Sequence, residues 1–132
     1  MKYIMVDTCI WADFFKDSDT EISDKLENLI SEDRVLLSDV IRSELLIGAR
    51  DKKELEKLNS VLDGLKVVEI DSQTFIKAGE LGFLMRREGF TLPLTDLLIT
   101  AQALHQETQI WTYDNHFSTL EKYLVIDLIY KI

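Results

Sequence analysis

The chain has almost nothing that would tie a fold together covalently. Its 132 residues include one cysteine, Cys9, so no internal disulfide can form, and with two histidines no Cys/His spacing suits a zinc site. A reducing, cytoplasmic setting is the expectation from that usage. A single proline and five glycines leave no stretch that reads as a linker. Long apolar runs are missing too. The first, Tyr3-Ile4-Met5-Val6, stops at Asp7, too short for a signal peptide or a membrane span. Positive charge is scarce: 15 Lys and Arg against 24 Asp and Glu give a formal net charge of -9. That balance argues against the broad basic face by which non-specific nucleic-acid binders displace counterions. The objection weakens if several acids converge on divalent cations, because a bound ion reverses the local field. Phosphate-cradling loops of the Gly-x-x-x-x-Gly-Lys or Gly-x-Gly-x-x-Gly kind are absent, as is any Ser/His/Asp order.

What is present is the profile of a folded domain. Hydrophobic residues make up 46% and charged residues 30% of the chain, and its length suffices for one core, so residues 1–132 are expected to form a single domain. Short apolar runs recur at Tyr3-Ile4-Met5-Val6, Val35-Leu36-Leu37, Val67-Val68-Glu69-Ile70, Gln109-Ile110-Trp111-Thr112 and Leu124-Val125-Ile126. Continuous rather than alternating apolarity is what parallel strands covered on both faces show. Helical spacing lies between them: Ile22, Leu26, Leu29 and Ile30; Leu55, Leu58 and Leu62; Phe75, Ala78, Gly82 and Met85. Strands alternating with helices predict an α/β layered domain, with ligands at the edge formed by the strand ends. The charge run from Asp51 to Lys57 reads as a solvated helix face.

Four acids stand out. Asp7 and Asp114 both sit where a strand is left, and each is also a good helix cap or turn residue. Glu44, in a helix expected after Ser38-Asp39, lies on an apolar stripe between Val40 and Ile47. A buried carboxylate there needs a base or a metal, unless its head group reaches water. Asp96 opens the segment Asp96 to Leu104, apolar most of the way round, with Thr95 as the expected cap; an acid in the first turn also complements the helix dipole. Held together, four carboxylates with no cysteine suit a hard cation, Mg²⁺ or Mn²⁺, and such a centre suits phosphodiester hydrolysis. His105 and His116 are not taken as ligands, since a lone histidine is more often a surface or core-edge residue. Trp11 and Trp111 flank the strand exits, where base stacking is open to them and core packing is the simpler use.

The residues Val6-Asp7-Thr8-Cys9-Ile10-Trp11, Ser43-Glu44-Leu45 with Gly48, Leu94-Thr95-Asp96 leading into Ile99, Ala101 and Ala103, and Trp111-Thr112-Tyr113-Asp114-Asn115-His116-Phe117 resemble the four blocks of the PIN-domain ribonucleases. They come in order and span almost the whole chain. Length and organisation look most like the toxin subunits of VapBC toxin-antitoxin systems. The resemblance implies a three-layer α/β/α fold with a five-stranded parallel sheet and a Mg²⁺- or Mn²⁺-dependent endoribonuclease acting on RNA. It implies Asp7, Glu44, Asp96 and Asp114 as metal-binding and catalytic acids. Thr112 matches a hydroxyl residue beside them, with Thr8 a lesser candidate. It further implies a small antitoxin that covers the cleft and a homodimer. One departure is visible: many members carry a further acid two residues after the position of Asp114, where this chain has His116, so a second metal ion is in question. Two other readings compete. A phospho-acceptor module needs paired acids after the first strand, whereas Asp7 stands between Val6 and Thr8; a housekeeping RNA-processing enzyme or a non-catalytic scaffold keeps the fold.

Overall fold

The structure, a computed structural model, describes residues 2–16, 19–124, 126 and 128–129. The first strand, β1 (Ile4–Val6), is followed by α1 (Thr8–Lys16) and α2 (Thr20–Ser31); β2 (Val35–Ser38) by α3 (Asp39–Ile47) and α4 (Lys52–Leu62); β3 (Lys66–Val68) by α5 (Ser72–Arg87) and α6 (Leu94–Gln106); and β4 (Gln109–Trp111) by α7 (Asn115–Glu121). A two-residue strand, β5 (Leu128–Ile129), pairs with β4. Every pairing is parallel and the order is β3-β2-β1-β4-β5. Of the fifth expected run, Leu124-Val125-Ile126, Val125 lies outside the described residues, and the pairing falls further along, at Leu128 and Ile129.

Continuous apolar strands are found where the sheet is covered. All of β1 and β2 is buried, whereas Lys66 and Val67 of β3 are exposed because β3 closes the sheet on one side. A lysine at such an edge discourages pairing with another chain. The third strand is also shifted from its expected place, since its pairing with β2 runs from Lys66 to Val68.

The helices bury the faces their spacing suggests, with two adjustments. In α2, Ile22, Leu26 and Leu29 are buried, and in α4, Leu58 and Leu62. The inward face of α5 is Ala78, Leu81 and Met85, while Phe75, placed on that face by spacing, is 52% exposed. Ile47, at the last turn of α3, is exposed as well, so the stripe beside Glu44 is carried by Ile41 and Leu45 instead. The long apolar helix α6 is buried from Asp96 through Ala103. Its start is set by Pro93, whose fixed φ of -61 and extended ψ place it at the N-cap, which makes Thr95 an internal residue rather than the cap. Trp11 and Trp111 are fully buried, which makes them core residues rather than stacking platforms.

Order along the sheet decides where a crevice opens. From β1 the chain moves outward to β2 and β3, then returns past β1 to β4. With right-handed crossovers the outward and returning helices lie on opposite faces. The chain therefore parts at the ends of β1 and β4, the switch point at which open parallel sheets take ligands.

Candidate active site

The register Val6↔Trp111 brings the exits of β1 and β4 level. Asp7 is the next residue after β1, and its amide donates to the Trp111 carbonyl at 3.0 Å, extending the ladder past the strand. Its own carbonyl accepts from Ile10 and Trp11, which starts α1. The side chain is thereby held at the sheet edge with 4% of its surface exposed.

Thr112, the residue after β4, is fully buried and links two of the acids. Its Oγ1 donates to Asp7 Oδ2 at 2.7 Å and accepts from the Asp114 amide at 3.0 Å. One hydroxyl oxygen thus serves as donor and acceptor at once. Asp114 is the N-cap of α7 and accepts from the His116 amide at 2.9 Å, so the capping reading of this acid holds and leaves it at the crevice. Glu44 is approached from α1: Thr8 Oγ1 donates to its Oε1 at 2.8 Å, which accounts for a half-buried acid beside the apolar stripe. Asp96, 7% exposed in the first turn of α6, meets His116, whose Nδ1 lies 2.7 Å from its Oδ2 and 3.5 Å from Asp114 Oδ1.

Each of the five expected residues thus touches another member of the group or a residue that does. The fields of the acids overlap as well. Burial pushes the Asp7 carboxyl above its usual range; the Thr112 hydroxyl and the Thr8 amide pull it down, while Glu44 and Asp114 push it up. Burial likewise lifts Asp96 to about 6, against the hydrogen bond from His116, with Asp114 and Asp7 adding to the rise. Carboxylates crowded and dried in this way are short of positive charge.

His116 is the residue the sequence reading set aside and the structure brings in. Asp96, Asp114 and His116 each offer one atom, and the three lie within 4.8 Å of one another, a spacing that can hold a metal ion. The signal was its position two residues from Asp114, at the place where the resemblance leads to the expectation of an acid. Cys9 was not expected either. Its Sγ lies 3.7 Å from Asp7 Oδ2 and 3.5 Å from Thr112 Oγ1. Burial pushes its thiol up to about 11, so it sits there as a neutral donor and not as a nucleophile. Several of the arginines have partners of their own. Arg42 pairs with Asp39 and Asp63, Arg50 with Glu54, and Arg87 lies over the Phe83 ring.

Residues 4–123 match the PIN domain family. The chain belongs to that family. Among curated relatives, Ribonuclease VapC18 of Mycobacterium tuberculosis is 27% identical over 116 residues, covering 85% of this chain and 82% of that protein. Ribonuclease VapC11 of the same species is 27% identical over 123 residues, covering 90% and 92%. Among solved structures, VapBC2 from Rickettsia felis bound to a DNA fragment from its promoter has a TM-score of 0.76 at 21% identity, covering 96% of this chain and 97% of that one. At that identity the likeness is one of fold.

Proposed function

We propose that this PIN-domain protein is an endoribonuclease that hydrolyses RNA phosphodiester bonds at a divalent cation held by Asp7, Glu44, Asp96 and Asp114, and that it is the toxin of a toxin-antitoxin pair. The observation that carries this reading is the meeting, at one switch point, of carboxylates from four separate parts of the chain, two of them with raised affinity for protons. Side chains that hold protons too tightly in a dry crevice have an unmet demand for positive charge, which a cation meets without a proton. Oxygen donors suit Mg²⁺ or Mn²⁺.

When bound, such an ion supplies a water of lowered pKa and a Lewis acid for the phosphoryl group. The chain's own part is to hold the carboxylates together and aimed. Thr112 fixes Asp7 by donating to its Oδ2, and Thr8 fixes Glu44. Asp114 is fixed at both ends, its amide on Thr112 and its carboxylate on the His116 amide. No side-chain nucleophile is needed, consistent with a neutral Cys9.

The toxin role rests on relatives named as VapC ribonucleases and on a structural neighbour that is a VapBC assembly. We expect an antitoxin with basic side chains for these acids, in a reducing cytoplasmic setting, and a homodimer. The outward face of α5, where Phe75, Ile76, Phe83 and Leu84 are all more than half exposed, offers apolar surface for such contacts. Among the described residues no helix is long and apolar enough to cross a membrane.

The test is cleavage of a pool of structured cellular RNAs with Mn²⁺ or Mg²⁺, comparing wild type, Asp7→Asn, Asp96→Asn and an EDTA control. Cutting at discrete positions by the wild type alone supports the proposal. An inert wild type, or variants that cut as well, leaves the acids as caps and dipole partners of a binding module.

A further inference from the structure

The His116 ring faces two carboxylates of the group at once, those of Asp96 and Asp114. We propose that His116 is itself a metal ligand, through Nδ1, and that it turns the Asp96/Asp114 side of the centre towards Mn²⁺ and later transition ions at the expense of Mg²⁺. The inference rests on the metal-dependent reading above and deepens it, by naming a nitrogen donor and the class of cation that donor selects.

The distances carry the first part. Ligands on adjacent corners of an octahedral ion with bonds of about 2.1 Å are separated by about 3.0 Å, and those on opposite corners by about 4.2 Å. Nδ1 of His116 lies 2.7 Å from Asp96 Oδ2 and 3.5 Å from Asp114 Oδ1, on either side of the adjacent-corner value. All three donors fall within 4.8 Å, so one ion can reach them with small shifts.

The backbone around the ring is tied down, which separates this histidine from one that wanders at a surface. The His116 amide donates to Asp114 Oδ1, and the Asp114 amide donates to Thr112 Oγ1, itself bonded to Asp7. Phe117, the next residue, is fully buried. The segment is pinned to the core on one side and to the acids on the other.

The chemistry carries the second part. Mg²⁺ prefers oxygen and gains little from imidazole, whereas affinity for nitrogen donors climbs along the series from Mn²⁺ to Co²⁺ and beyond. A neutral imidazole in place of a carboxylate also removes one negative charge from the set, which costs the hardest ion most. His116 therefore lowers the attraction for Mg²⁺ while supplying a bond that Mn²⁺ can use.

Pulsed electron paramagnetic resonance on the folded, Mn²⁺-loaded protein reads this directly, because a coordinated imidazole imposes ¹⁴N modulation on the Mn²⁺ signal. The wild type should show that modulation, His116→Gln should lose it, and His105→Gln, which removes the only other imidazole, should keep it. Competition of Mg²⁺ against bound Mn²⁺ gives the selectivity, and His116→Asp should narrow the preference for Mn²⁺ by about tenfold. The wild-type spectrum needs no variant to fold. Mn²⁺ bound tightly without ¹⁴N modulation, or an unchanged preference in His116→Asp, overturns the inference: His116 then only hydrogen-bonds Asp96, and the carboxylate centre stands. Failure of Mn²⁺ to bind the wild type, or equal binding by Asp7→Asn and Asp96→Asn, overturns the inference together with the reading beneath it.

Discussion

Asp96 is where a single group's environment translates into behaviour of the whole chain. Its carboxyl is raised from 3.8 to about 6, first by burial and then by Asp114 and Asp7, against the bond from His116. A raised acid binds its proton more tightly folded than unfolded, so its contribution to stability is complete below about pH 4 and is lost as pH climbs through 6. In EDTA the melting temperature should therefore fall between pH 4 and pH 7. Asp96→Asn should flatten that fall, by about 3 °C or more across the window. Mn²⁺ at pH 7 should raise the melting temperature of the wild type and leave that of the variant unmoved. Parallel pH profiles for the two proteins would show that Asp96 does not carry the effect. Part of this scale was legible beforehand, because Asp7, Glu44, Asp96, Thr112 and Asp114 lie in one linked group of side chains, whatever they do there. His116 was not, since an isolated histidine carries no pattern until Asp96, twenty residues away, is seen beside it.

At the scale of elements, α5 and α6 form the most extensive helix–helix contact of the described residues, and glycine marks how closely they approach. A Cβ on Gly82 would meet Leu97 Cδ1 at 2.9 Å, whereas one on Gly79 would meet nothing within 4 Å. Both lie inside the same helix, so helix propensity alone favours alanine equally at each. We expect Gly79→Ala to raise stability by about 0.5–1 kcal/mol, and Gly82→Ala to give no gain or a loss of up to about 1 kcal/mol as Leu97 is displaced. Urea unfolding of the two variants decides it; equal gains would mean that Leu97 yields freely. Leu97 adjoins Asp96, so the close approach at Gly82 also fixes how α6 presents its acid. Sequence periodicity found these helices but not their orientation in detail. Phe75 and Ile47 fit the spacing of a buried stripe and lie in solvent, because a stripe wider than the available contact is trimmed by the neighbours it meets. The start of α6 was misplaced for a local reason: Pro93 fixes the boundary through its ring, with no side-chain cap to read.

For the whole molecule the dominant quantity is charge. A binder with a basic face loses affinity for RNA steeply as salt rises, because it gives up the advantage of released counterions. A chain of net charge -9 approaches RNA against repulsion, and salt screens repulsion as readily as attraction. With saturating Mn²⁺, kcat/KM for a cleaved RNA should hold or rise between about 50 and about 200 mM KCl. A fall of tenfold or more would reveal a basic track that the pairing of Arg42 and Arg50 with acids does not suggest. Fold class and strand sequence were readable from alternating apolar runs, since burial of a parallel sheet leaves little choice of residue. The order of strands was not, as nothing local says that β4 returns to lie beside β1.

That return of the chain has a bearing on synthesis. A nascent chain emerges from its amino end, so Asp7, Glu44 and Asp96 are made well before Thr112, Asp114 and His116. Until β4 is out, β1 lacks the neighbour that levels its exit, and Asp7 lacks the hydroxyl that aims it. A chain that ends before Thr112 carries three of the acids and lacks the hydroxyl that links Asp7 to Asp114. The meeting of the acids is in this way a late event, completed only when β4 and the start of α7 have joined the sheet.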